Sequence, residues 1–293
     1  MRDKTTTLAE AAALVADGAT VGIQNMATQA APMAMVRELI RQNRRELGIV
    51  ALVGGIMIDW LSATRTMNRY IGPVVSMERF GLCQNYRKAV QAGLVEVQEY
   101  TETTFLAALG AAARGMPFGI AKGAIGSGLM EIHKDRWKLL DDPFGTAAKV
   151  VAVQPLPLDV AIVHSHRSDS AGNAQYEPQT IWPDVQIFPK AAQRVIVTTE
   201  KLVSEAEIRK NPGRTAIPHF IVDAVVEVPF GAHPTSWFPD YGYDTGMHES
   251  YQAVASDPAA AIEWINRFVR EPATQEEYLR TAGADLEALK RWQ

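Results

Sequence analysis

Apolar and polar positions along this chain follow two rhythms. Apolar residues at helical spacing run through "LAEAAALVADG", with Gly18 as a stop, and through "MAMVRELIRQNRREL", with Pro32 near its first turn. Short apolar runs between them read as strands: "ATVGIQN", a buried "GIVALVGG" ending at Gly54 and Gly55, then "RYIGPVVS" and "LVEVQEY", with a helical "GLCQNYRKAVQAG" between the last two. "EYTETTFLAALGAAARG" opens a further amphipathic helix. "KVVAVQPLPLDVAIVHSHR" holds two β-rich pieces, "RVIVTTEKLVSEAEIRK" is a strand running into a helix, and "FIVDAVVEVP" is another strand. From about Ser256, "DPAAAIEWINRFV" and "TQEEYLRTAGADLEALKRWQ" form a helical tail. Strands separated by helices predict an α/β fold: an open, largely parallel sheet with helices on both faces. No internal repeat or low-complexity linker divides the pattern. The organisation expected is one α/β domain over 1–255, with 256–293 as a C-terminal helical extension of the same domain.

Composition narrows the class. With 293 residues, 47% of them hydrophobic, the chain can bury a substantial core. A net charge of −4, from 33 acidic and 29 basic side chains, leaves no whole-domain basic footprint, so nucleic acid is not an expected partner. The single cysteine, Cys83, excludes an intrachain disulfide framework and a cysteine-built zinc site, which suits a reducing cytoplasm. The N-terminus carries charges without a long apolar run, and the most apolar stretches are short and broken by Gly, Pro or Asp. Neither a signal peptide nor a membrane span is expected.

Several segments are candidates for chemistry. "GIAKGAIGSGLME" gathers Gly119, Gly123, Gly126 and Gly128, where backbone N–H groups can approach a ligand closely. It fits neither a phosphate loop nor a dinucleotide fingerprint, because Glu131 stands where the third glycine would be, and a loop of unusual torsions explains it equally. His164 and His166 lie two apart at the end of an apolar strand and would share one face, but no third ligand for a metal stands nearby. "SDSAGN", with Asp169, Gly172 and Asn173, is a turn. No G-x-S-x-G elbow occurs, and Cys83 reads as a packed side chain. Thr101 is a suitable N-cap, which puts Glu102 in the first turn of its helix. There the helix dipole favours a carboxylate by about 0.3–1 kcal/mol, and the same environment would keep it ionised as a base or nucleophile.

Together these segments resemble the α subunit of the heteromeric family I CoA transferases, of the glutaconate CoA-transferase type, over nearly the whole chain. The resemblance is carried in order by "LVEVQEYTETTFLAALGAAARGMPF", "GSGL", "DDPFGTAAKVVAVQPLPLDVAIVHSHRSDSAGNAQ", "RVIVTTEKLVSEAEIRKNPGRTAIP" and "VDAVVEVPFGAHPTSWFPDYGYD". It implies a CoA-transferase-like fold, a β-subunit partner in an α2β2 or larger assembly, an acyl-CoA thioester as substrate, and no permanently bound cofactor or metal. In such transferases a glutamate attacks the thioester and becomes a glutamyl-CoA thioester. In the glutaconate type that glutamate belongs to the β subunit, and no Glu-Asn-Gly segment of that kind occurs here. The family's "GSGL" falls on Gly126, Ser127, Gly128 and Leu129, near the expected acyl pocket. Its "H…D…GN" pattern falls on His164, Asp169, Gly172 and Asn173.

Two departures qualify the resemblance. Where the glutaconate type carries a Gly-Gly-Phe run and then basic residues, this chain has Gln24, Asn25 and Met26, then Ala30 and Ala31. That removes an ionic contact to a dicarboxylate's free end. At Glu102 the chain instead resembles a sister branch, the α subunits of CoA-dependent ring-opening hydrolases of steroid breakdown, in which the matching glutamate is catalytic. The expected function is therefore CoA transfer, with Glu102-dependent hydrolysis of a carbon–carbon bond as the alternative. A decarboxylase on the same scaffold is a further possibility. A non-enzymatic ligand-sensing domain is the reading from another class, and the chain shows no helix-turn-helix module to accompany it.

Overall fold

Seven of the apolar runs pair into one parallel sheet. They are β1 (Thr20–Ile23), β2 (Leu47–Val50), β3 (Met67–Gly72), β4 (Glu96–Glu99), β5 (Leu158–Ser165), β6 (Ala192–Thr199) and β7 (Ala224–Glu227), in the spatial order β7-β6-β5-β1-β2-β3-β4. The computed structural model describes residues 2–145 and 149–291. Both faces of the sheet are covered, so successive strand residues feed two separate cores. Ile162, Ile196, Ala224 and Val226 point into one; Ala161, Val163, Val195, Val197 and Val225 point into the other.

The first core is closed by helices Leu8–Ala13, Met33–Arg41 and Ile56–Ala63 and by C-terminal residues Tyr251, Trp264 and Tyr278. The second is closed by helices Glu102–Ala113 and Pro183–Ala191, through Phe105, Leu109, Val185 and Phe188. A three-stranded antiparallel sheet (Gly119–Ala121, Trp137–Asp141, Lys149–Val153) packs Trp137, Val151 and Val153 into the same core.

The C-terminal tail is bolted to the body. Helix Gln275–Ala282 buries Tyr278 beneath the Arg37 guanidinium, 3.5 Å from the ring centroid. The Tyr278 hydroxyl lies 2.7 Å from His233 Nδ1, and His233 Nε2 lies 2.9 Å from Asp244. Among the described residues no helix is long and apolar enough to cross a membrane.

Most expected elements form, but the second helix ends at Arg41, strands Gly119–Ala121 and Trp137–Asp141 were not anticipated, and other differences follow. The first helix ends at Ala13 rather than running to Gly18. Helices Ile56–Ala63 and Pro183–Ala191 were not anticipated: "IMIDWLSA" is apolar nearly all round, and Pro183 and Pro189 mask the second. Cys83 is the N-terminal cap residue of helix Gln84–Gln91 rather than a member of it.

Candidate functional site

In a parallel sheet, ligands bind beyond the carboxyl ends of the strands where the strand order reverses. Here that point is β1, which has β2 on one side and β5 on the other. Gln24 and Asn25 follow directly from β1 and are fully buried. The Gln24 side-chain oxygen accepts the His164 backbone N–H at 2.8 Å. The Asn25 N–H donates to Asp184 at 2.9 Å, at the start of helix Pro183–Ala191, and burial pushes the Asp184 carboxyl up to about 6. The Asn25 amide nitrogen donates to the carbonyls of Ala27 and Gln29.

These bonds fix both amide orientations, and they leave Gln24 Nε2 and Asn25 Oδ1 without a partner. A buried unsatisfied polar atom costs about 1–3 kcal/mol. The turn that follows holds Ala27 and Ala30 at left-handed φ of 52° and 61°. Gly55 makes room for it, since a Cβ there would sit 2.2 Å from the Ala27 carbonyl oxygen. Backbone strain and orphaned amides together mark a turn shaped for more than packing.

His164 is the penultimate residue of β5, on the same edge. Its Nε2 lies 2.8 Å from Glu200, just beyond β6, and its Nδ1 lies 2.8 Å from the Thr198 hydroxyl. Glu200 also accepts from the Tyr241 hydroxyl at 2.6 Å and from the backbone N–H groups of Phe230 at 2.7 Å and Gly231 at 3.2 Å. Burial alone would raise this carboxyl. The hydrogen bonds from His164, Tyr241 and Phe230 outweigh it and hold Glu200 below the usual carboxylate value. The segment from Phe230 to Tyr241 thereby wraps the site, and Ser236 bonds through its backbone to both Thr28 and Ala30 of the strained turn.

His166 shares Trp237 with His164, the ring centroids lying 4.6 and 4.7 Å from the indole. Its Nδ1 accepts the Glu177 N–H and its Nε2 donates to the Phe238 carbonyl, while burial pushes the imidazole down to about 4. Beside it opens a polar cavity of about 440 Å³, lined by Arg167, Glu177, Glu200, Lys201 and Asp240 among others. There desolvation and the neighbouring Glu200 and Glu177 raise the Asp240 carboxyl.

Asp169 and Asn173 close on each other instead. Asp169 accepts the backbone N–H groups of Gly172 and Asn173, each at 2.9 Å, and the Asn173 amide at 2.7 Å. The Asn173 oxygen accepts from His219. Their hydrogen-bonding capacity is spent on the turn that leads away from β5.

Glu102 lies elsewhere on the edge, after β4 at the far end of the sheet. Thr101 caps the helix through the Thr104 N–H, so Glu102 is its first residue. The Glu102 side chain is exposed, and no hydrogen bond or ion pair reaches it among the described residues. The glycine-rich segment comes to this same spot. A Cβ on Gly123 would lie 2.1 Å from Thr103 Oγ1 and 2.6 Å from Thr101 Oγ1, so glycine is what lets the segment rest on the start of the helix. Gly126, Ser127 and Gly128 continue from it and are exposed, Gly126 with a left-handed φ of 80°.

The structure thus brings Gln24, Asn25 and His164 together around β1 and β5, and Glu102 together with the glycine-rich turn after β4. No hydrogen bond or ion pair joins the two groups among the described residues. Sequence reasoning passed over Glu200, Trp237, Asp240 and Tyr241. Glu200 carried a usable signal, because it follows the last residue of an apolar strand in an α/β chain, as Gln24 does.

A coenzyme A transferase family model matches residues 5–228. The chain is 31% identical to one of the subunits of glutaconate CoA-transferase from Acidaminococcus fermentans, over 96% of this chain and 92% of that one. The crystal structure of that transferase superposes with a TM-score of 0.90 at 30% identity, covering 97% of this chain and 94% of the other. The chain is also 29% identical to the cholesterol ring-cleaving hydrolase IpdA subunit of Mycobacterium tuberculosis, over 92% of this chain and 94% of that one. A crystal structure of the decarboxylase AibA/AibB matches with a TM-score of 0.79 at 28% identity, over 90% and 98% of the two chains.

Proposed function

The chain belongs to the coenzyme A transferase family, and from that premise we propose that it is the α subunit of a heteromeric enzyme that moves CoA between carboxylic acids. The observation that carries this reading is the superposition on glutaconate CoA-transferase along nearly the entire chain. In the reaction, a β-subunit glutamate attacks the acyl-CoA carbonyl and expels CoA thiolate, leaving a mixed anhydride. The thiolate attacks the glutamyl carbonyl of that anhydride, releasing the first acid and forming a glutamyl-CoA thioester. The acceptor acid then takes the CoA by the reverse sequence. Acyl-CoA is the substrate throughout and no resident cofactor is required.

In this subunit, the turn from Gln24 to Ala30, held by His164, contacts the acyl group. The exposed turn of Gly126, Ser127 and Gly128 lies toward the thioester, with the Ser127 N–H already spent on the Ala124 carbonyl. Asp169 and Asn173 hold the β5 exit in shape. The lack of a basic side chain at Ala30 and Ala31 favours an acyl group without a second carboxylate. The assembly is α2β2 or larger and cytoplasmic, a setting that suits one buried Cys83 whose thiol burial raises well above its ordinary range.

One observation favours a second reading. Glu102 is solvent-facing and unpaired beside a glycine-rich turn, the placement of a base that activates water in a CoA-thioester-dependent ring-opening hydrolase. Intact mass of both subunits, co-expressed and incubated with a panel of acyl-CoAs, separates the two. A CoA adduct on the partner that survives Glu102→Gln supports transfer. Substrate consumed without any adduct, and left intact by Glu102→Gln, overturns transfer in favour of hydrolysis.

A further inference from the structure

Glu78, in the loop that follows β3, takes a left-handed φ of 50°, a conformation that residues with a side chain rarely hold. β3 stands between β2 and β4, so its loop leaves the carboxyl edge of the sheet between the two groups at the candidate site. Gln24, Asn25 and His164 lie on one side of it, and Glu102 with the glycine-rich turn on the other. Adjacent strands are about 4.8 Å apart, so the edge from β4 to β1 spans roughly 14 Å, and β3 falls inside that span. The loop is held firmly. Strand Val74–Val75 pairs with Val53–Gly54, the Ser76 N–H donates to the Gly54 carbonyl at 2.8 Å, and the Ser76 hydroxyl accepts the Glu78 N–H at 2.9 Å. Phe80 anchors the far side, buried and stacked on His248 with ring centroids 4.7 Å apart. From there Glu78 reaches back to the turn after β1. The Thr28 hydroxyl donates to Glu78 Oε2 at 2.7 Å, and Thr28 lies between Ala27 and Ala30, the two residues held at left-handed φ. Two strained segments therefore meet at one hydrogen bond. Among the described residues no hydrogen bond or ion pair reaches Glu78 Oε1, and the residue is exposed. Arg79 does not neutralise it, since that guanidinium lies over the Phe80 ring and 3.7 Å from Glu249.

We infer that Glu78 is a specificity-determining residue that accepts a hydrogen bond from the acyl group, which makes a hydroxyl-bearing acyl-CoA the substrate class. The inference rests on the acyl-CoA reading above. A carboxylate accepts hydrogen bonds and donates none. A plain aliphatic chain offers it nothing. A chain ending in a second carboxylate meets like charge, and Ala30 and Ala31 supply no cation to offset it. A hydroxyl satisfies Glu78 by donating and can still accept from a neighbouring donor. The orphaned Gln24 Nε2, just ahead of the same turn, is a donor of that kind. An ammonium group would satisfy Glu78 but leave the Gln24 amide facing another donor. Because the loop and the carboxylate are already fixed, little ordering is left to be done when substrate arrives.

The test reads the selectivity of the co-expressed heteromeric enzyme by loss of the acyl-CoA thioester, whichever product follows. The straight-chain acyl-CoA that wild type consumes fastest sets the chain length. At that length the plain thioester is compared with those hydroxylated at each carbon from the third onward, and with the ω-amino and ω-carboxy thioesters. For wild type, kcat/KM for the best hydroxyacyl-CoA should exceed that for the plain chain at least about tenfold, the effect of one hydrogen bond to a charged group. The ω-carboxy thioester should trail the plain chain by a similar factor. Glu78→Ala should bring both ratios to within about threefold of unity. Glu78→Lys should reverse the second, making the ω-carboxy thioester the better substrate. The wild-type ratios stand as a test even if a variant fails to fold. Hydroxylated and plain chains used equally by wild type, an ω-carboxy chain used as readily as a plain one, or ratios that survive Glu78→Ala would each overturn the inference. A preference for the ω-amino thioester over every hydroxylated one overturns it too, since the group recognised is then a cation. A wild-type enzyme that consumes no acyl-CoA of any length defeats the acyl-CoA reading itself, whereas one that consumes them without selectivity defeats only the role given to Glu78.

Discussion

Replacing Glu200 by glutamine tests the central claim about the site, that one largely buried carboxylate, 13% exposed, holds three segments of chain together. Oε1 accepts from His164 at 2.8 Å, Tyr241 at 2.6 Å and Gly231 at 3.2 Å, and Oε2 accepts from Phe230 at 2.7 Å. An amide oxygen can take the place of Oε1, but the amide nitrogen then faces the Phe230 N–H, donor against donor. One buried N–H is orphaned, at about 1–3 kcal/mol, and the remaining bonds lose their charge assistance. The loss should total roughly 3–5 kcal/mol at pH 7, the cost of breaking a buried charged contact. Urea unfolding measures it, with a shifted midpoint and an unchanged slope.

The pH dependence sharpens the test. The folded carboxyl is held below its ordinary value, so its contribution is complete above that value and is lost as pH falls through the folded one. The gap between wild type and Glu200→Gln should therefore narrow in acid. A gap under about 1 kcal/mol at pH 7, or one that stays constant down to pH 3, would refute the reasoning.

Two further outcomes follow from the geometry. Gly123→Ala places a methyl carbon against Thr101 and Thr103, so the turn must lift away from Glu102; kcat/KM for the acyl-CoA substrate should fall at least about tenfold while thermal stability drops only slightly. Burial lowers the His166 imidazole to about 4, so its NMR resonances should show no inflection between pH 5 and 8, and a midpoint near 6.5 would disprove that account.

The parallel sheet was legible because its strands are buried on both faces and read as unbroken apolar runs between amphipathic helices. β5, "LDVAIVHS", and β6, "AQRVIVTT", are of this kind. The cap at Thr101 was equally plain, since a threonine before an apolar helical run has few other uses. Helix Pro183–Ala191 stayed hidden because its prolines argue against a helix, whereas Pro183 occupies the first turn, where no N–H is needed. Within the site, Gln24, Asn25 and His164 could be named from resemblance, but not the bond from the His164 backbone that orients Gln24 across 140 positions of sequence. Glu200 was invisible for the same reason. Its four donors come from 30 to 41 residues away, and only the folded chain brings them to one carboxylate. Asp169 shows the converse, a residue with a chemically suggestive pattern whose oxygens are all turned back on its own loop.

The position of β1 has a consequence for how the molecule is made. One side of β1 finds β2 within thirty residues, while the other waits for β5, more than a hundred residues further on. A ribosome adding about 5–20 residues per second leaves that strand edge open for roughly ten seconds. During this time the β1–β4 half presents an apolar edge to the crowded cell. Synthesis rather than stability is then the vulnerable stage, and slow codons between Gly115 and Leu158 would lengthen it without altering a single amino acid.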